Sequence, residues 1–246
     1  SIAQIASIAM TVGLSGVTFA TFARLAVEDQ AAMNRFYAFS IRIISLLTIP
    51  LYTFIIFNAE AIVAILYSPQ YASSALLVQG ILVFRIASRL FGGPENGEYL
   101  LSRGRVGTLV SIGVAAALVN FGLNLLLIPK FGATGSVIAS GCGNLLVNML
   151  GAKMVFRISE SSIQFVYWAG LVAVCCIPAM ICAYLLPSNS ISSLIAAASL
   201  YGMLLLGGLV LLKPLTQTDK DWLSKIDGRM ATILRLFTRA SLQSIR

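Results

Sequence analysis

Long uninterrupted runs of apolar residues dominate the pattern of this chain. A helix needs about 20 such residues to cross a hydrocarbon core of roughly 30 Å. The sequence lacks the period-2 alternation over ten-residue stretches that is typical of membrane β-barrels. The pattern therefore predicts an all-α, polytopic membrane helix bundle with about seven spans, at residues 2–23, 43–65, 74–101, 107–128, 136–155, 165–186 and 191–212.

The basic residues between these spans alternate from one connection to the next. The first connection carries Arg24, Arg35 and Arg42, and the third, the fifth and the tail are also basic, whereas the fourth carries only Lys130 and the second and sixth carry none. An excess of Lys and Arg marks the cytoplasmic side of a membrane protein. We therefore expect a multi-pass protein with its C-terminus in the cytoplasm and its first residue outside. This orientation predicts a preceding N-terminal part of the same chain with an odd number of spans.

Beyond residue 213 the continuous apolar pattern gives way to a periodic one. Apolar residues recur at spacings of three and four with Lys and Arg between them, which is typical of a basic amphipathic helix lying on the membrane surface. Packing of this helix against loops of the same protein is the alternative. We therefore predict two parts, a transmembrane bundle over residues 1–213 and a basic cytoplasmic tail over 214–246, with its apolar stripe at Trp222, Ile226, Met230, Ile233 and Phe237.

Composition excludes several classes of protein. The chain is 58% apolar and only 11% charged, against about 25% charged residues in soluble domains, so it is not a soluble globule, a disordered chain or a disulfide scaffold. The net charge of +8 fits cytoplasmic loops that face anionic lipid better than nucleic-acid binding. There is no His, which removes His-based catalysis, His metal sites and His proton relays. The four Cys fit no zinc or haem spacing, and we expect no cofactor and no metal.

The predicted third span departs from the apolar pattern near its midpoint. Arg85 and Arg89 lie one turn apart, about 40° from each other on one helix face. Each buried charge opposes insertion by about 2.5–3.5 kcal/mol, so both side chains should face a polar interior or a water-filled cavity. Gly92, Gly93 and Pro94 follow directly and predict a kink or break in the helix.

These charges suggest two candidate roles. Two guanidinium groups one turn apart suit a diphosphate, because Arg offers forked and permanently charged donors. Glu95 and Glu98 could titrate if they are buried and so couple movement to protons. The alternative is that all four charges neutralise one another or neighbouring helices as structural pairs.

Amide side chains form two further pairs inside predicted spans. Asn120 and Asn124 lie one turn apart in the fourth span, as do Asn144 and Asn148 in the fifth. Hydrogen bonding between helices is the favoured role, at about 0.6 kcal/mol each, and small residues over 136–143 would permit close approach there. The alternative is that the four amides line a polar cavity and contact the substrate.

One stretch of the sequence resembles a known family. Asn120-Phe-Gly-Leu-Asn124-Leu-Leu-Leu-Ile-Pro129-Lys-Phe-Gly132-Ala-Thr-Gly135 is similar to the helix–turn–helix of polysaccharide flippases of the multidrug/oligosaccharidyl-lipid/polysaccharide exporter superfamily. In that family an Asn-containing span ends in Ile-Pro-Lys-aromatic-Gly-x-x-Gly. Residues 19–25, 65–71 and 101–105 resemble further parts of the same family in the same order.

The resemblance implies a two-lobe flippase, of which this chain would form most of the C-terminal lobe. It implies a transporter, not an enzyme, that moves a polyprenyl-diphosphate-linked oligosaccharide, such as an O-antigen or exopolysaccharide unit, across the bacterial inner membrane by alternating access. The implied partners are that lipid-linked substrate, membrane lipids and the N-terminal lobe of the same chain. The rival hypotheses are an exporter of the peptidoglycan lipid precursor or of small drugs, and a membrane enzyme of polysaccharide assembly.

Overall fold

The computed structural model of this protein describes residue 16 and residues 18–159, 165–186, 190–215 and 219. This part of the chain divides into two compact units, within Ser1–Ile163 and Gln164–Arg246. The described part is helical, as the sequence predicts. It contains α1 (18–28), α2 (Gln30–Phe57), α3 (Ala59–Tyr67), a 3-10 helix (Pro69–Ser74), α4 (Ala75–Arg89), α5 (Glu95–Ser102), α6 (Val106–Ser159), α7 (Phe165–Leu185) and α8 (Ile191–Leu212).

Five helical segments among the described residues are long and apolar enough to cross a membrane. They are Gln30–Phe57, Pro69–Arg89, Val106–Ser159, Trp168–Leu185 and Ile191–Leu212. The third of them contains both the predicted fourth and the predicted fifth span. Most of the predicted first span, and the apolar tail stripe at Trp222, Ile226, Met230, Ile233 and Phe237, lie outside the described residues.

The predicted bounds of the second span, 43–65, are wrong at both ends. The helix α2 already begins at Gln30, because the Asp29 carboxylate accepts hydrogen bonds from the backbone N–H of Ala31 (2.8 Å) and Ala32 (3.0 Å) and so caps its first turn. It ends at Phe57, and α3 starts a new helix after Asn58. The predicted first connection is therefore mostly helix.

The two arms of α6 run antiparallel. Gly132 interrupts the helix with φ 55° and ψ −131°, a conformation that L residues with a Cβ rarely adopt. Gly143 on the second arm faces Asn120 on the first, and Gly135 faces Leu127, so closely that a Cβ on either glycine would lie within 3.0 Å of its neighbour. The reversal predicted from this Gly-containing stretch is confirmed, and glycine sets the distance between the arms.

The helices α4 and α5 pack along the second arm of α6. Gly80 contacts Val137, Phe84 contacts Gly141 and Asn96 contacts Gly151. Residue numbers therefore increase in the same direction along both elements, so α4 and α5 run parallel to the second arm of α6. The helix α2 runs the opposite way, because Tyr37 contacts Asn96 whereas the carbonyl of Ile56 accepts a bond from Gln79. These directions match spans that cross alternately.

The first unit has a buried interior and an apolar outer surface. The core joins α2, α3 and α4 through residues such as Tyr52, Val63 and Leu82. On α6, by contrast, a stripe of large apolar side chains is more than half exposed, which is expected of a face that contacts lipid. The stripe consists of Val110, Val114, Leu118, Phe121 and Leu125.

The second unit contains a helical hairpin. Gly170 of α7 lies beside Leu212 of α8, and Gly208 of α8 lies beside Val174 of α7, so the two helices pack antiparallel. The Ser190 hydroxyl accepts the backbone N–H of Ser193, and the Ser193 hydroxyl in turn accepts the N–H of Ser190. This reciprocal capping box defines the start of α8.

Candidate functional site

The helix breaks between α4 and α5, as the Gly-Gly-Pro sequence predicts. The last residue of α4 is Arg89 and the first of α5 is Glu95. Gly92 and Gly93 between them have φ of 88° and 64°, which favour glycine because it lacks a Cβ. A Cβ on Gly92 would also lie 2.7 Å from Asn96 Oδ1, and one on Gly93 would lie 2.7 Å from Arg89 Nη1. Both glycines therefore permit the turn and leave room for the polar groups beside it.

The break brings opposite charges together. Nη1 of Arg89 donates to both carboxylate oxygens of Glu95, at 2.8 and 2.7 Å, and the two side chains are only 5% and 4% exposed. A buried charge is tolerated when it is paired in this way. The structural pairing that the sequence left open is thus present for Arg89 and Glu95.

Asn96 connects the break to two other helices. Its Oδ1 accepts the Tyr37 hydroxyl of α2 at 2.6 Å. Its Nδ2 donates to the carbonyls of Phe91 (2.7 Å) and Asn148 (3.1 Å). Phe91 lies in the turn between α4 and α5, where backbone groups lack the hydrogen-bond partners that a continuous helix would provide. Asn96 supplies one of those partners and fixes α5 against α2 and α6.

A second polar group lies toward the end of α5. The Tyr99 hydroxyl donates to Asn34 Oδ1 at 2.7 Å and accepts from Gln30 Nε2 at 3.2 Å, and Arg103 donates to Gln30 Oε1. Glu98 is half-buried and accepts the Thr18 hydroxyl of α1 at 2.7 Å. These bonds hold α5 to the starts of α1 and α2 and give Glu98 a neutral partner.

Next to the break lies a small polar cavity of about 70 Å³, hereafter the polar cavity. Because one water needs roughly 10–15 Å³ of such space, it can hold a few water molecules. The Ser88 hydroxyl is buried and has no hydrogen-bond partner among the described residues. The Arg85 guanidinium likewise makes no hydrogen bond or ion pair within the described part of the chain. The lining consists of Tyr52, Arg85, Ser88, Arg89, Gly93, Pro94, Asn144 and Asn148.

The residues that the sequence singled out therefore fall into two groups. Arg85, Arg89, Asn144 and Asn148 line the polar cavity, and Glu95 binds Arg89 beside it. The amide of Asn124 instead donates to the Asn120 carbonyl (3.0 Å) and side-chain oxygen (2.6 Å) on its own helix. Neither residue of that pair lines the cavity. Asn148 Nδ2 bonds in the same way to the Asn144 carbonyl, at 2.8 Å, so both amide pairs bond along their helix and not across it.

Several residues that form this site were not predicted from the sequence. Asn96 and Tyr37 form a hydrogen bond between α5 and α2, and Ser88 and Tyr52 line the cavity. The signal for Asn96 was its place two residues after Pro94, because an amide beside a broken helix can bond the free backbone groups. Tyr37 carried no such signal, since it lies in the stretch that the sequence assigned to a connection.

The polar cavity is lined by guanidinium, amide and hydroxyl groups, a set that can hold an anion or a polar solute. Among the described residues, no three Cys, Asp or Glu lie close enough together to hold a metal ion.

A comparison with known families bears on one part of the chain. Residues 1–76 match the model of a family described as polysaccharide biosynthesis protein. The family resemblance expected from the sequence is confirmed over this segment, which contains residues 19–25 and 65–71. Residues 101–105 and 120–135, which also suggested the resemblance, lie beyond the match. No curated protein and no solved structure matches the chain.

Proposed function

We propose that this chain is part of an exporter that moves a polyprenyl-diphosphate-linked oligosaccharide across the bacterial inner membrane by alternating access. The observation that carries the proposal is the polar cavity, which is lined by the Arg85 guanidinium, a charge with no partner among the described residues. A membrane protein keeps such a charge at a functional site by default. The match of residues 1–76 to polysaccharide biosynthesis proteins supports a glycan-bearing lipid as the cargo.

In this proposal the two arginines have different roles. Arg85 is the group that attracts the diphosphate, because its guanidinium has no partner within the described residues and faces the cavity. Arg89 is held by Glu95 and positions the break that forms the cavity wall. The predicted ligand pair thus becomes one contact residue and one positioning residue.

The polar cavity is much smaller than the roughly 300–1,000 Å³ of pockets that enclose a ligand. The cargo therefore requires the cavity to open, and the break between α4 and α5 is the element suited to that movement. Broken helices near the midplane line the substrate path in many transporters. Asn144 and Asn148 on the facing helix would then supply uncharged donors to the same cargo.

The test uses the complete product of the gene, reconstituted in proteoliposomes with a fluorescent polyprenyl-diphosphate-linked saccharide. Replacing Arg85 by Ala should lower transport about 10- to 100-fold, the loss expected when a charged hydrogen bond worth about 1.5–3 kcal/mol is removed. Arg85→Lys should retain part of the activity, because it keeps the charge but not the fork. Arg105→Ala, an exposed arginine outside the cavity, is the matched control.

Three results would count against the proposal in different ways. Wild-type transport by correctly inserted Arg85→Ala protein would remove Arg85 from the substrate path. Failure of the unaltered protein to move any lipid-linked saccharide would reject the function itself. Faster transport of the peptidoglycan precursor or of a cationic drug would favour the rival exporters.

A further inference from the structure

A second and larger cavity lies where the second arm of α6 passes the break. It has a volume of about 530 Å³, within the roughly 300–1,000 Å³ typical of ligand pockets. We call it the basic groove, and its position separates it from the polar cavity because the two share no lining residue. All its residues belong to the first unit, and they are Phe91, Met149, Ala152, Lys153, Phe156 and Arg157.

The wall of the basic groove is apolar. Four apolar residues line it, Phe91 from the break and Met149, Ala152 and Phe156 from α6. Ala152 is 1% exposed, whereas Met149 is 43% exposed. A groove of this kind on the surface of a membrane helix is suited to a hydrocarbon chain, because it offers apolar contact and requires no hydrogen bond.

Two basic residues also line the groove. Lys153 and Arg157 are one turn apart on α6, where like charges repel and destabilise a helix. Both are exposed, and neither makes a hydrogen bond or ion pair with the residues that the structure describes. Among the described residues, no acidic side chain lines the groove. An anion held between the two side chains would relieve their repulsion.

We propose that the basic groove binds an anionic glycerophospholipid of the cytoplasmic leaflet. The lipid phosphate lies between Lys153 and Arg157, and an acyl chain lies along Phe91, Met149 and Phe156. Basic pockets between helices on the cytoplasmic side are suited to such headgroups. The proposal is independent of what the protein transports.

Lipid in this groove would also support the neighbouring break. Phe91 presents its ring to the groove and its carbonyl to Asn96, so a bound acyl chain packs against the residue that Asn96 anchors. Occupancy should therefore stabilise the fold as well as fill the groove, because a ligand that binds only the folded state raises its stability.

The test titrates the complete gene product, purified in detergent, with dipalmitoyl phosphatidylglycerol and with phosphatidylcholine carrying the same chains. Native mass spectrometry gives the bound fraction, and thermal melting gives the stabilisation. We expect phosphatidylglycerol to bind about 30-fold tighter, the factor for two basic residues near an anionic headgroup. Lys153→Gln with Arg157→Gln should abolish this preference, whereas Arg105→Gln, an exposed arginine of another connection, should keep it.

Chain length provides a second measurement. Dihexanoyl phosphatidylglycerol has the same headgroup and should bind at least about tenfold more weakly, because its chains are too short to fill the groove. Equal binding of both headgroups, or an undiminished preference in the Lys153→Gln, Arg157→Gln protein, would overturn the proposal. Stable binding of polyprenyl diphosphate in this groove, with no stable complex of phosphatidylglycerol, would assign the groove to the cargo and would also overturn the proposal.

Discussion

The ion pair between Arg89 and Glu95 makes a sharp prediction about stability. Removing either partner alone leaves an uncompensated charge where both side chains are at most 5% exposed. At the 2.7 Å separation of Nη1 and Oε2, the attraction is about 6 kcal/mol for an effective dielectric constant of 20. The desolvation of both ions offsets part of it. We expect Glu95→Leu or Arg89→Met alone to lower the free energy of unfolding by about 3–5 kcal/mol.

The double variant separates pairing from packing. When Arg89→Met and Glu95→Leu are combined, neither charge of the pair remains. The free energy of unfolding should therefore fall less than in either single variant. The measurement is reversible unfolding of the purified protein in mixed micelles, followed by the far-ultraviolet circular dichroism of its helices. Additive losses would show that the two side chains stabilise the protein independently, and the reasoning from the ion pair would then be wrong.

Two further substitutions test the packing around the break. Gly141→Ala should cost about 1–3 kcal/mol, because its Cβ would lie 2.3 Å from ring carbons of Phe84. Gly113→Ala, with no atom within 4 Å, is the control and should be neutral or slightly stabilising in the same unfolding experiment. Tyr37→Phe removes the donor to the buried Asn96 Oδ1 and should cost about 1–3 kcal/mol; a melting temperature equal to that of the wild type would contradict this role.

The sequence predicted best where one physical constraint acts alone. Apolar length placed four of the spans on described helices, two on α6 and one each on α7 and α8, because a bilayer accepts little else. The breaks at Gly92–Gly93 and Gly132 were also predictable, because these turns need a positive φ and glycine adopts it readily. The start of α2 was not predicted. Asp29 is a local N-cap signal, but it lies in a stretch whose Arg residues suggested a connection between spans.

The candidate site was predictable in composition but not in its pairing. Arg85, Arg89 and Glu95 were identified because charges in an apolar run are costly, yet spacing alone does not say which carboxylate reaches which guanidinium. The turn at Gly92 and Gly93 decides this, because it brings Glu95 back onto Arg89 and leaves Arg85 facing the cavity. The partnership of Tyr37 with Asn96 joins residues 59 positions apart, and no local pattern encodes it.

The closeness in sequence of the Arg89–Glu95 pair has a consequence for biogenesis. The partners lie six residues apart, so they can meet during synthesis, before α6 has left the ribosome. Each charge alone would oppose release into lipid by about 2.5–3.5 kcal/mol. An ion pair that forms inside the insertion channel does not depend on a later helix to shield it, whereas the bond of Asn96 to the Asn148 carbonyl forms only after α6 has been made.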